Sequence, residues 1–177
     1  MRIRLFKIFQ LLYNECYQTI AFIFCFTFIS EIPKMQVLTN IAIIMATIAA
    51  MEMLSWAMHK YLFHGPLWFI HKTHHQQRHG WFEWNDLFSL FFAGIALWLM
   101  WLGHITLDYR FWIGTGISLY GIIYFIFHDW FIHNRFRSFK TNNKYLLRIR
   151  RAHKIHHKSM EKEHAEEFGL LVTRRKY

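Results

Sequence analysis

The chain has 177 residues, 54% of them hydrophobic and 20% aromatic, with a formal net charge of +10. One domain is the default at this length, and so much apolar surface cannot be hidden in one small soluble core, which excludes an ordinary water-soluble fold. The charges collect between and after the apolar stretches, so the basic balance reads as membrane-flanking cationic segments and not as nucleic-acid binding, for which no groove motif is present. Cys16 and Cys25 make no Cys-rich metal or disulfide framework, so metal chemistry here must use nitrogen and oxygen donors.

In chain order, the first apolar run is residues 20–29. It admits three readings: an extra span, a signal-anchor or an interfacial helix. Glu31, Pro33 and Lys34 follow it where a removable signal peptide would need a small-residue cleavage site. Residues 1–34 are therefore expected to be an N-terminal extension or extra membrane helix, with Met35 an alternative start, and 35–177 the main membrane domain. Residues 37–58 are long enough to cross a bilayer, which needs about 20 residues. Residues 87–107 and 111–127 are two further spans. Lys60, Lys72 and Arg78 lie between the spans 37–58 and 87–107, and thirteen Lys or Arg follow Phe127, whereas the connection between the last two spans holds only Arg110. Four spans with both termini in the cytoplasm satisfy this bias, as do three with the N-terminus outside. Either way 59–86 and the C-terminal tail share the cytoplasmic side. The expected fold is an all-α membrane protein of three to four transmembrane helices with a cytoplasmic-side, histidine-rich di-metal site.

Of 13 histidines, ten fall in four clusters: His59 and His64; His71, His74 and His75; His128 and His133; His153, His156 and His157. The two halves echo each other: a span, a His-x4-His at its end, then a His-x2-His-His. Spacing i, i+3, i+4 puts each triplet on one helical face. Spacing i, i+5 drifts by about 140° at 3.6 residues per turn, so each pair needs a helix end or a π-bulge between its members. Gly65-Pro66 offers a helix stop after the first pair. The last triplet continues the apolar stripe of Leu146 and Ile149, with Arg148, Arg151, Lys154 and Lys158 on other faces. His79, His104 and His164 stand apart and read as ordinary structural residues. A pH-sensing patch or basic membrane face is the plain alternative for the clusters.

Ten neutral imidazoles exceed the needs of one ion, and two ions at five or six coordination would use about ten with positions left for water or substrate. Imidazole suits zinc, copper, iron and nickel. Few carboxylates with many histidines suits an oxygen-activating di-iron centre. A ligating histidine usually donates its other N–H to a carboxylate or carbonyl, for which Glu52, Glu83, Asn85, Asp86 and Asp129 are candidates. Glu52 lies inside a span, where an ionisable group is costly. Asp86 also reads as a helix N-cap and Glu83 as an interfacial charge. Trp68, Trp81, Trp84 and Trp130 read as an interfacial belt, a subset of which could line a groove for a long apolar substrate.

The segments MEMLSWAMHKYLFHGPLWFIHKTHH, GWFEWNDLFSL, YGIIYFIFHDWFIHNR, LLRIRRAHKIHH and EEFGLL resemble the bacterial β-carotene hydroxylases, within the membrane fatty acid hydroxylase and sterol desaturase superfamily. The likeness covers roughly residues 37–171. It implies a di-iron monooxygenase that hydroxylates carotenoid β-ionone rings at carbon 3, from β-carotene through β-cryptoxanthin to zeaxanthin. It implies the ten clustered histidines as iron ligands, dioxygen as co-substrate, and electrons from NAD(P)H through ferredoxin and its reductase. It implies a carotenoid taken from the bilayer and residence in a bacterial inner membrane. The chain has no dinucleotide loop and no cysteine set for an iron–sulfur cluster, which agrees with an external soluble donor. Arg148, Arg150 and Arg151 could dock it, or could reflect topology alone. Other superfamily reactions on sterols or fatty acyl chains, and a membrane metal-binding or transport protein, are the alternative readings.

Overall fold

The computed structural model describes residues 34–76, 82–136, 140–159, 161–163 and 165–174. The chain divides into two compact units, Met1–Asn40 and Ile41–Tyr177. Of the first, only residues 34–40 are described, as the start of a helix. The apolar run at 20–29, and with it the question of an extra span, lies outside the described residues.

Helix α1, Lys34–Ala57, passes directly into a π-helical turn, Met58–Phe63. A short helix α2, Trp68–His75, follows. Helix α3 is Asp86–Gly103, and α4, Tyr109–Tyr124, runs into a second π-helical stretch, Phe125–Ile132. Helix α5, Lys144–His156, is capped by the Asn143 side chain, which accepts from the backbone N–H groups of Tyr145 and Leu146. There is no strand among the described residues. Among the described residues, three helices are long and apolar enough to cross a membrane: Lys34–Phe63, Asp86–Gly103 and Tyr109–Ile132. The first and third run beyond their hydrophobic stretches because the polar histidine turns continue the same helix. The outer faces carry large exposed apolar side chains such as Met53, Phe91, Leu97 and Trp101, a surface suited to lipid.

Both π turns fall where the His-x4-His spacing requires them. The His64 N–H donates to the His59 carbonyl at 3.0 Å, and the His133 N–H to the His128 carbonyl at 2.9 Å. An i→i+5 bond brings residues five apart onto one face, as an α-turn does for residues four apart. After the first turn, the chain bends sharply at Gly65, where any side chain would collide with the Tyr61 carbonyl.

The membrane core is small: Met51 of α1, Ala96 of α3, and Ile117 and Tyr120 of α4. Glycines let the helices approach at backbone distance. A Cβ on Gly114 would sit 2.6 Å from the Ala96 carbonyl, and one on Gly116 would sit 2.7 Å from the Thr47 Cβ. A second core, Phe131, Ile132, Ile149 and Leu170, joins the end of the third span to α5 and the C-terminal segment. Replacing Gly114 by Leu is expected to force α3 and α4 apart and cost about 1–3 kcal/mol. Reversible unfolding in detergent micelles measures this, with Gly94→Leu, at a site with open space around it, as the control.

Candidate metal centre

The ten clustered histidines come together as two groups of five. The ligand atoms of His59, His64, His71, His75 and His156 lie within 4.8 Å of one another. A second group holds His74, His133, His153 and His157. His128 completes it, with its Nε2 3.2 Å from that of His74 and its ring 4.5 Å from that of His133. The internal echo is resolved in space. Each half of the chain supplies its own pair and the i, i+4 members of its triplet to one group, and lends the middle member, His74 or His156, to the other. The groups abut: the His75 and His157 rings stack at 4.4 Å.

The hydrogen bonds decide which ring nitrogen faces inward. His59 donates from Nδ1 to the Phe168 carbonyl, His64 to that of Lys162, His75 to that of Ser159 and His156 to that of Glu166, at 2.9–3.1 Å. His71 donates to the Asn85 side-chain oxygen at 3.1 Å, His74 to the Glu83 carboxylate and His128 to the Asp129 carboxylate, both at 2.8 Å. Each partner can only accept, so each of these Nδ1 atoms carries the proton and Nε2 is a bare lone pair. The Nε2 atoms then face one another: His59 and His71 at 3.1 Å, and His64 and His156, His71 and His75, and His74 and His128 at 3.2 Å each. Two lone pairs at that separation cannot form a hydrogen bond, and a cation between them resolves the conflict. The donor set thus fits a metal ion in each group.

Burial favours the neutral form of the clustered rings outside the spans. It pushes His71 and His156 down to about 3 and His75 to about 4, and lowers His64, His74, His153 and His157 as well. Neutral imidazole is the form that binds metal.

The expected acids divide. Glu83 and Asp129 hold His74 and His128, and Asn85 holds His71, as described. Asp86 reaches no histidine among the described residues: it accepts the Glu83 backbone N–H at 2.9 Å and takes the Arg135 guanidinium at 2.7 Å. Glu52 departs further from a role beside a ligand. Its carboxylate accepts the Tyr120 hydroxyl and the backbone N–H groups of Leu170, Leu171 and Val172. Side-chain spacing missed Arg135, which also lies 3.4 Å from Glu83 and 3.6 Å from Asp129 and so ties both carboxylates together. Trp68 packs on His64 and His75 at 5.0 and 5.2 Å. His104 is exposed, bonded to the Trp101 carbonyl, and outside both groups. His79, His164 and Trp81 lie outside the described residues.

Beside the histidines is an apolar cavity of about 560 Å³ between α1, α3 and α4, walled by Met51, Phe88, Phe92, Ile117 and Gly121 among others. Ser55, Phe63, Asn85 and Tyr124 line both this cavity and a narrow chamber bounded by His59, His71, His128 and His153. The Tyr124 ring stacks on His128 at 4.4 Å.

Residues 44–174 match the fatty acid hydroxylase family. The chain is 38% identical over 138 residues to a β-carotene hydroxylase of a Paracoccus species, covering 77% of this chain and 85% of that one. It is 39% identical over 135 residues to the β-carotene hydroxylase of Pantoea ananas, covering 76% and 77%. It is 31% identical over 147 residues to the chloroplastic β-carotene 3-hydroxylase 1 of Arabidopsis thaliana, covering 80% of this chain and 47% of the plant protein. No solved structure matches it at comparable significance. With most of its length inside that family match and the bacterial relatives aligned over most of theirs, the chain belongs to the fatty acid hydroxylase family.

Proposed function

We propose that this protein is a membrane di-iron monooxygenase that hydroxylates the β-ionone rings of carotenoids at carbon 3. The observation that carries the reading is the meeting of ten clustered histidines with an apolar cavity at the membrane end of the same chamber. The bacterial and plant relatives named for β-carotene hydroxylation support the substrate class. The functional domain runs over 35–177, in a bacterial inner membrane with the histidines on the cytoplasmic side.

The residues divide the work. His59, His64, His71, His75 and His156 would hold one iron, and His74, His128, His133, His153 and His157 the other. When bound, iron supplies the redox chemistry with dioxygen that an unactivated ring C–H requires. Each hydroxylation consumes one dioxygen, two electrons and two protons and releases one water. The cavity takes a ring from lipid, and Phe63 and Tyr124 keep its inner end apolar and water-poor. Glu83, Asn85 and Asp129 fix ring orientation and tautomer. Electrons arrive from NAD(P)H through ferredoxin and its reductase. Arg151, Lys154 and Lys158, on and just beyond α5, offer an acidic donor its docking face. Arg150 is already committed, its guanidinium donating to the Phe131 carbonyl at 2.6 Å.

Expression in carotene-producing bacteria with active electron donors should yield 3-hydroxylated products by chromatography. His71→Ala and His153→Ala should each abolish them, and a wild type giving only unmodified carotene would sink the carotenoid assignment. Asp129→Asn and Glu83→Gln should each weaken metal binding about 10- to 100-fold, read by metal competition on purified protein. Acid should destabilise the metal-free fold. Its buried histidines have lowered pKa values, so below about 6.5 the unfolded chain binds more protons than the folded one. Melting temperature should hold above that pH and fall as pH drops toward about 4, where His75 titrates. A melting temperature unchanged from about pH 7.5 to about pH 4 would contradict this linkage.

A further inference from the structure

Glu52 gathers four hydrogen-bond donors on one half-buried carboxylate inside a span. Three consecutive backbone N–H groups converge on one oxygen, from Leu170 at 3.1 Å, Leu171 at 2.8 Å and Val172 at 3.2 Å, while the Tyr120 hydroxyl donates to the other at 2.9 Å. The segment it grips is the same one that turns carbonyls toward the histidines. Glu166 offers its carbonyl to His156 and Phe168 offers its carbonyl to His59, both at 2.9 Å. Between them Glu167 has a positive φ of 62° and is buried, so this turn is held against a backbone preference. The Phe168 ring stands edge-on to His59, His64 and His156 at 5.2–5.5 Å. Phe168, Gly169 and Leu170 form a wall of the histidine chamber.

We propose that Glu52 is a positioning residue that clamps residues 165–174 as a strap across the group of His59, His64, His71, His75 and His156, and so sets the orientation of His59 and His156. It acts on these ligands through the strap's backbone. The strap has other anchors, the buried Leu170 and the Tyr145 hydroxyl that donates to the Leu171 carbonyl at 2.8 Å. Loss of Glu52 therefore loosens the turn that bears the two carbonyls instead of unfolding the helices. Without Glu52, three backbone donors beside the chamber would lose their acceptor, and the strap would shift to satisfy them with water.

The inference rests on the metal reading above, and its test separates the two. Purified full-length protein in detergent is titrated with Co2+, followed by visible absorption and metal analysis. Wild type should take up two equivalents; a wild type that takes up none removes the metal reading and the strap proposal together. Glu52→Leu, which fills the same space without an acceptor, should keep one equivalent and weaken the other about 10- to 100-fold. Glu52→Gln, which still presents an oxygen to the three N–H groups, should stay close to wild type. Gly169→Ala attacks the strap from the other side, because its Cβ would lie 2.5 Å from the Val172 carbonyl. It should reproduce the Glu52→Leu loss, and the double variant should be no worse than the more severe single. In a His133→Ala background, which leaves only the group of His59, His64, His71, His75 and His156 complete, Glu52→Leu should weaken the remaining site. Two equivalents at wild-type affinity in Glu52→Leu would overturn the proposal, as would normal binding by Gly169→Ala. Should Glu52→Leu fail to fold, Gly169→Ala alone decides the matter.

Discussion

The structure turns on one constraint: each ring whose Nδ1 hydrogen goes to an oxygen behind it must turn a bare Nε2 toward its neighbours. Four pairs of such atoms face each other at 3.1–3.2 Å. Left alone, this crowding of lone pairs in a buried, low-dielectric place is unfavourable, and protonation cannot relieve it because burial keeps the rings outside the spans neutral. The fold thus holds its histidines in an arrangement that a cation would relieve. Everything behind the rings, from the Phe168 carbonyl to the Asp129 carboxylate, serves to keep the proton on the outer nitrogen.

The two halves of the chain build this arrangement by the same rule but finish it differently. Each supplies a π turn at the end of a span and a triplet on a short helix, and each lends its middle histidine to the other group. Behind the five-histidine group of His59, His64, His71, His75 and His156, every Nδ1 partner is neutral: four backbone carbonyls and one amide. Behind the other group stand two carboxylates, tied to each other by Arg135. A carboxylate partner makes an imidazole a stronger donor than a carbonyl does. The quasi-twofold frame therefore presents two histidine groups of equal number and unequal surroundings, and the inequality is one of charge placement.

The spans were legible because about 20 consecutive apolar residues have one use in a bilayer. The π turns were legible for a sharper reason: an α-helix cannot put His59 and His64, or His128 and His133, on one face. Asn85, Glu83 and Asp129 were legible as polar groups near ligand clusters. What side-chain pattern could not convey is the contribution of backbone. The carbonyls of Ser159, Lys162, Glu166 and Phe168 are chemically identical to every other carbonyl in the chain, and only the local backbone path at these residues aims them. Glu52 stands out in the sequence for its cost inside a span, but its partners include backbone N–H groups more than a hundred residues away, which no spacing rule reaches.

The chamber and the apolar cavity share walls, and that sharing limits how the site can vary. Asn85 lines the cavity and holds His71; Tyr124 lines it and stacks on His128. A change at either position made to suit another substrate also disturbs one of the clustered histidines. Phe63 is similarly bound, its ring stacked on His71 at 5.2 Å. By contrast, Ala93, Leu97, Ser118 and Ile122 line the cavity and lie outside both histidine groups. Cavity shape can be altered there while every Nδ1 bond stays intact. Within this architecture the inner end of the cavity is tied to the histidines' hydrogen bonds and ring contacts, and the α3 and α4 walls are where its shape is free to vary.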